Sequence, residues 1–175
     1  MAEKREEAER LAQAGMEARG GAALARELLE KQPVGVLATL SQRHAGAPFT
    51  SLVPFALSAE GEPLLLLSAL AQHTRNLEAD PRASLLVHDA AAAAQDPRTA
   101  ARLSLVGRVR RVAPADEPDA RARYLARHRG ARGLLELDFA LFRFSVVEGQ
   151  LVGGFAAAGW LSAEELRRAE PPRAG

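Results

Sequence analysis

Cysteine is absent from this chain of 175 residues. That absence excludes disulfides, thiolate nucleophiles and cysteine-ligated zinc together, and it fits a cytoplasmic setting. Lysine is nearly missing as well, with only Lys4 and Lys31 beside 21 arginines. Aromatic residues make up 5% of the chain, with one Trp and one Tyr. No apolar run approaches the roughly 18 residues that a membrane-spanning helix needs. The charged start over residues 1–10 lacks the form of a secretory signal. The formal net charge is +1 at pH 7. A chain so nearly neutral is expected neither to bind nucleic acid by bulk charge nor to stay disordered.

What is present is small and aliphatic: 37 alanines and 26 leucines, enough apolar substance for one compact domain of this length. Residues 3–31 are rich in Ala, Glu, Leu and Arg, all strong helix formers, and Gly20-Gly21 predicts a break. Leu24, Leu28 and Leu29 supply a packing stripe in the second half. From Val34 the period changes to two. The spacing predicts strands over 34–41, 49–57, 64–68, 82–88, 102–112 and 139–147. In the first of these both faces are apolar, as in a strand covered on both sides. Gly46 suits the turn after it. Pro54 marks an edge position or bulge in the second strand, and Gly107 a bulge in the fifth. Short helices are expected over 72–79, within 90–100, after Pro118 and over 162–168. Ser162 and Glu165 have capping-box spacing in the last of these. Glu148-Gly149 reads as a turn. Six strands in hairpin-like succession, without βαβ alternation, predict a mainly β chain closed as an antiparallel barrel. The expected division is 1–32 helical, 33–161 barrel, and 162–175 helix and tail.

The chemistry points to residues 64–87. A buried strand ends at Ser68, and four residues later a helix opens with His73, Thr74, Arg75 and Asn76 at its start. Helix N-termini present unpaired N–H groups and a partial positive charge. With an arginine, hydroxyls and an imidazole beside them, they make a phosphate site. An ordinary capped helix facing water is the alternative reading of the same residues. His44 lies in a turn, and His88-Asp89 reads as a strand end rather than a metal site, so no metal site is expected. Ten arginines against three acids over 98–132 read as a solvated face or as an anion-attracting rim. Trp160 reads as a packing residue before a stacking one.

Several segments together carry a resemblance. They are GVLATLS (35–41), PFTSLVPF (48–55), SALAQHTRNLEADPRASLLV (68–87), ARLSLVG (101–107), DF (138–139) and GGFAAAGWL (153–161). The chain resembles the pyridoxamine 5′-phosphate oxidase-like, FMN-binding split-barrel family, and within it the haem-utilisation branch. The resemblance implies a six-stranded antiparallel split barrel of Greek-key form. It also implies a homodimer that holds FMN at its interface, and an FMN-dependent oxidoreductase activity. By the same resemblance Thr50, Ser51, Leu52 and Val53 run along the isoalloxazine, largely through main-chain groups. Ser68 stands near the phosphate, His73 takes the place of a phosphate-binding lysine, and Thr74, Arg75 and Asn76 support it. Arg102 reaches the flavin from the neighbouring chain. Haem-degrading relatives ligate iron through a histidine near the C-terminus; here no histidine follows Arg129. A flavin or haem carrier and a haem-degrading enzyme are therefore the alternatives to the oxidoreductase. No catalytic acid or base is assigned.

Overall fold

A computed structural model describes residues 20–153 and 158–169, together with Glu6, Glu7, Arg10, Gln13 and Ala14. Seven strands are present: β1 Val34–Leu40, β2 Pro48–Leu57, β3 Pro63–Ser68, β4 Arg82–His88, β5 Arg102–Arg111, β6 Phe139–Val152 and β7 Ala158–Ser162. The helices are α1 Gly21–Lys31, α2 Gln72–Ala79, α3 Ala90–Gln95, α4 Glu117–Arg127 and α5 Ala163–Arg168, with a 3-10 segment at Arg129–Glu136. Most of the expected N-terminal helical segment before Gly20 lies outside the described residues.

The strands run in the order β3-β2-β1-β4-β5-β6-β7, and β3 also pairs with β6. That second pairing, Leu64↔Arg143 to Ser68↔Phe139, closes β1–β6 into an antiparallel barrel. The order β4-β1-β2-β3 is a Greek key. The mainly β, six-stranded Greek-key barrel is therefore observed, with β7 added to the far half of β6. Alternation fills the barrel. Leu37, Val53, Phe55, Leu65, Leu85, Leu103, Leu105, Phe144 and Leu151 are each 2% exposed or less and belong to one cluster. Leu28 and Leu29 of α1, Leu77 of α2 and Leu166 of α5 join that cluster. A second cluster packs Ala120 and Tyr124 of α4 on the outward side chains of β3, Leu64 and Leu66. This is why β3 is buried on both faces.

Three expectations need correction. Glu148-Gly149 is not a turn: β6 runs straight through to Val152. The glycine sits in a close-packed spot instead, since a Cβ at Gly149 would lie 3.0 Å from Leu105 Cδ2 and 3.2 Å from Leu103 Cδ1, and those side chains would have to give by a few tenths of an ångström. The strand β7 adds to the six expected; its alternation spans only five residues, behind a glycine- and alanine-rich stretch. Helix α4 starts at Glu117 and carries Pro118 in its first turn, where a missing N–H costs nothing. Other local readings hold. Gly46 takes φ 84 in the β1–β2 turn. Pro54 precedes the β3 ladder, which begins at Phe55, so β2 is an edge at that point. The irregularity at Gly107 is real, but the extra residue is Val147 on β6, skipped between Val106↔Glu148 and Gly107↔Val146. A Cβ on Gly107 would sit 2.2 Å from the Ser145 carbonyl oxygen.

Candidate functional site

Helix α2 begins four residues after Ser68, as the spacing predicts, and its polar side chains divide sharply. Thr74 and Asn76 are fully buried. The Thr74 hydroxyl donates to the Ser68 carbonyl at 2.6 Å. Asn76 Nδ2 donates to Thr39 Oγ1 at 3.0 Å, and its Oδ1 accepts from the Gln42 N–H at 3.0 Å and from Gln72 Nε2 at 2.8 Å. These bonds tie α2 to β1 and to the turn after it. The Ser68 hydroxyl donates to the Asp138 carboxylate, and the Leu70 N–H lies 3.1 Å from Ser68 Oγ and 3.3 Å from Asp138 Oδ2. The Ser68 hydroxyl first, and the Leu70 N–H after it, hold the Asp138 carboxyl below its usual value. A carboxylate thus stands at the mouth of the expected phosphate loop. The sequence places Asp138 in a motif but does not pair it with Ser68; only the Ser68↔Phe139 register of β3 with β6 brings them together.

His73 Nδ1 lies 3.1 Å from Ser51 Oγ, so strand β2 and the start of α2 do meet there. The other ring nitrogen, Nε2, is buried without a partner. Burial lowers the His73 pKa and favours the neutral ring. Arg75 points to solvent on the opposite side of the helix from Thr74 and Asn76.

Along β2 the side chains alternate. Ser51 and Val53 turn towards the barrel, with Val53 2% exposed. Thr50 and Leu52 turn outward, and Leu52 is 72% exposed. The outward positions form rows across the sheet. One row runs Leu52, Val36, Leu86, Ser104, Gln150, Trp160; the next runs Thr50, Ala38, Ser84, Val106, Glu148, Ser162. Leu52, Val34 at 38%, Val106 at 41% and Trp160 at 50% are exposed. Among the described residues the cover expected over the outer face of β1 is incomplete: Val34 is exposed, and Val36, Ala38 and Leu40 are half-buried. Trp160 is only half packed, its main chain bonded to the Gln13 side chain. Basic pairs border the rows at either end: Arg82↔Arg108 at one and His88↔Arg102 at the other. Arg102 Nη1 donates to the Ala100 carbonyl at 3.2 Å. Strands β1 and β4 separate β5 from β2, a gap of about 14 Å at ordinary strand spacing. Arg102 and the α2 cluster of one chain are therefore not brought together.

Known proteins share this architecture. The family model described as CREG, beta-barrel matches residues 16–167. The chloroplastic heme oxygenase HOZ of Arabidopsis thaliana is 36% identical over 154 residues, which are 83% of this chain and 45% of that protein. This chain thus spans about half the length of that relative. The structure of a heme binding protein from Mycobacterium smegmatis is 33% identical, with a TM-score of 0.79, covering 86% of this chain and 61% of that one. The structure of HutZ, a heme storage protein from Vibrio cholerae, is 29% identical, with a TM-score of 0.58, covering 68% of this chain and 84% of that one.

Proposed function

The chain belongs to the CREG β-barrel family, among the pyridoxamine 5′-phosphate oxidase-like split barrels, and on that footing we propose that it binds haem on the open face of its sheet, where two copies of the chain meet. Haem is a broad apolar disc with two carboxylates at one margin. The outward rows offer an apolar floor, with Leu52, Val36 and Leu86 side by side, and guanidinium groups at its borders. Contiguous exposed apolar surface of this kind is a mark of a binding face. Arginine is well suited to holding carboxylates through paired hydrogen bonds. The three haem-named relatives support the same reading.

One observation carries the preference for haem over FMN. The loop that a flavin phosphate would enter already holds the Asp138 carboxylate, bonded to the Ser68 hydroxyl and near the Leu70 N–H. A phosphate there would meet a like charge, while Thr74 and Asn76 spend their groups inside the protein. FMN remains the second reading. It is supported by exposed Arg75 in the first turn of α2, by the Ser51–His73 contact and by the superfamily fold. An oxidoreductase activity would belong to that reading.

A second copy of the chain is the proposed cover for the apolar face, since a two-fold dimer would bury the same rows from both sides. Titration of the purified chain with haemin and, separately, with FMN tests the choice. Saturable growth of a Soret band with no quenching of FMN fluorescence is expected. Tight FMN binding without haemin uptake would reverse the order of the two readings.

A further inference from the structure

We propose that His88 is the axial iron ligand of the haem site, an inference that rests on the haem reading above. The chain has four histidines, and the structure separates them. His128 Nε2 is engaged with the Phe55 carbonyl at 2.8 Å. His73 shares Nδ1 with Ser51, and its Nε2 is enclosed. His44 lies in the exposed β1–β2 turn, outside the sheet. His88 alone of the four lies on the open face, as the last residue of β4 with its side chain on the same side as Ser84 and Leu86. It makes no side-chain hydrogen bond among the described residues. Its chain neighbour Asp89 is committed elsewhere, accepting from the N–H groups of Ala91 and Ala92 as the cap of α3.

The surroundings suit a metal-bound porphyrin. Continuing the Val36↔Leu86 register brings Val34 opposite His88 on the β1 side, and Arg102 is its partner on the β5 side. An imidazole on the outward side of the sheet would offer a ring nitrogen to the iron of a porphyrin laid over that face. Cross-strand partners have Cα atoms about 5 Å apart; the Arg102 guanidinium, bonded to the Ala100 carbonyl at 3.2 Å, is long enough to swing past the imidazole and would there meet a carboxylate at the margin of the bound group. Neutral imidazole is a good ligand for iron. A histidine that reads in the sequence as a plain strand end thus acquires a role only through its register partners.

The test uses ferric haemin with the wild-type chain, His88→Ala, His88→Gln and His44→Ala. Circular dichroism melts check that each variant folds. The wild type and His44→Ala are expected to give the same Soret band and, when reduced, an iron–histidine stretch in resonance Raman spectra. His88→Ala and His88→Gln are expected to lose that stretch, to shift the Soret band and to bind haemin at least about tenfold more weakly. Free imidazole should restore the wild-type spectrum to His88→Ala. Wild-type spectra from both folded His88 variants would overturn the assignment while leaving haem binding intact. Failure of the wild type to take up haemin would instead remove the haem reading, and the ligand with it.

Discussion

Removing the carboxamide of Asn76 takes the acceptor from the Gln42 N–H and Gln72 Nε2 and the donor from Thr39 Oγ1, which keeps its bond to the Phe49 carbonyl. Buried groups left unsatisfied cost about 1–3 kcal/mol, so Asn76→Ala should lower the thermal midpoint by several degrees in a melting experiment. An unchanged midpoint would mean that water or a shifted Gln72 replaces those bonds. His73 predicts a pH effect of definite sign. Burial depresses its folded pKa below the ordinary imidazole value of 6.5. The unfolded chain therefore takes up the proton first as pH falls below about 6.5, and stability drops until the folded pKa is passed. Thermal melts of wild type and His73→Gln should thus converge, or cross, between about pH 7.5 and about pH 5.5. A gap independent of pH would contradict the buried neutral imidazole. The residue types around α2 are readable in the sequence, but their loyalties are not. Helix phase sends Thr74 and Asn76 inward and Arg75 outward, and only the fold decides which face is inside.

Strand alternation marks most of the elements in the amino-acid sequence alone. Arg82–His88 and Gln72–Ala79 fall where the pattern predicts them. Their bounding signals are unambiguous: an Asp-Pro step between them, and apolar residues at every second position of the strand. The end of β6 and the whole of β7 escape the pattern for a physical reason. Gly149 looks like a turn residue, yet it lies inside a strand, where Leu103, Leu105 and Leu166 leave little room for a Cβ. The bulge at Gly107 is readable as an irregularity, whereas its placement on β6 depends on a cross-strand register that no local pattern encodes. Gly107→Ala should be costly, because its Cβ would overlap the Ser145 carbonyl oxygen at 2.2 Å and Phe144 Cε1 at 2.7 Å. Overpacking of this kind typically costs about 1–3 kcal/mol, to be read from denaturant unfolding at unchanged slope. Full wild-type stability would show that β6 yields at the bulge more readily than its pairing suggests.

At the scale of the whole molecule, the helices α1 to α5 among the described residues leave one face of the closed barrel open. Helix α4 covers β3, whereas the outward rows of β2, β1, β4 and β5 carry exposed Leu52, Val34 and Val106. The barrel itself is legible in the sequence. That β1 is open on its outer side within one chain is not, because an apolar side chain reads the same whether a helix or a second chain covers it. On the proposed two-copy arrangement, a charge introduced there would separate the copies without unfolding them. Leu52→Glu is expected to elute as a monomer in size-exclusion chromatography with light scattering, with a melt close to wild type, since its side chain touches little within its own chain. The same variant bears most directly on the claim that haem binds on this face where two copies meet. Haemin titration of folded, monomeric Leu52→Glu should show binding weakened by at least about tenfold relative to wild type. Wild-type haemin affinity in that monomer would contradict the account.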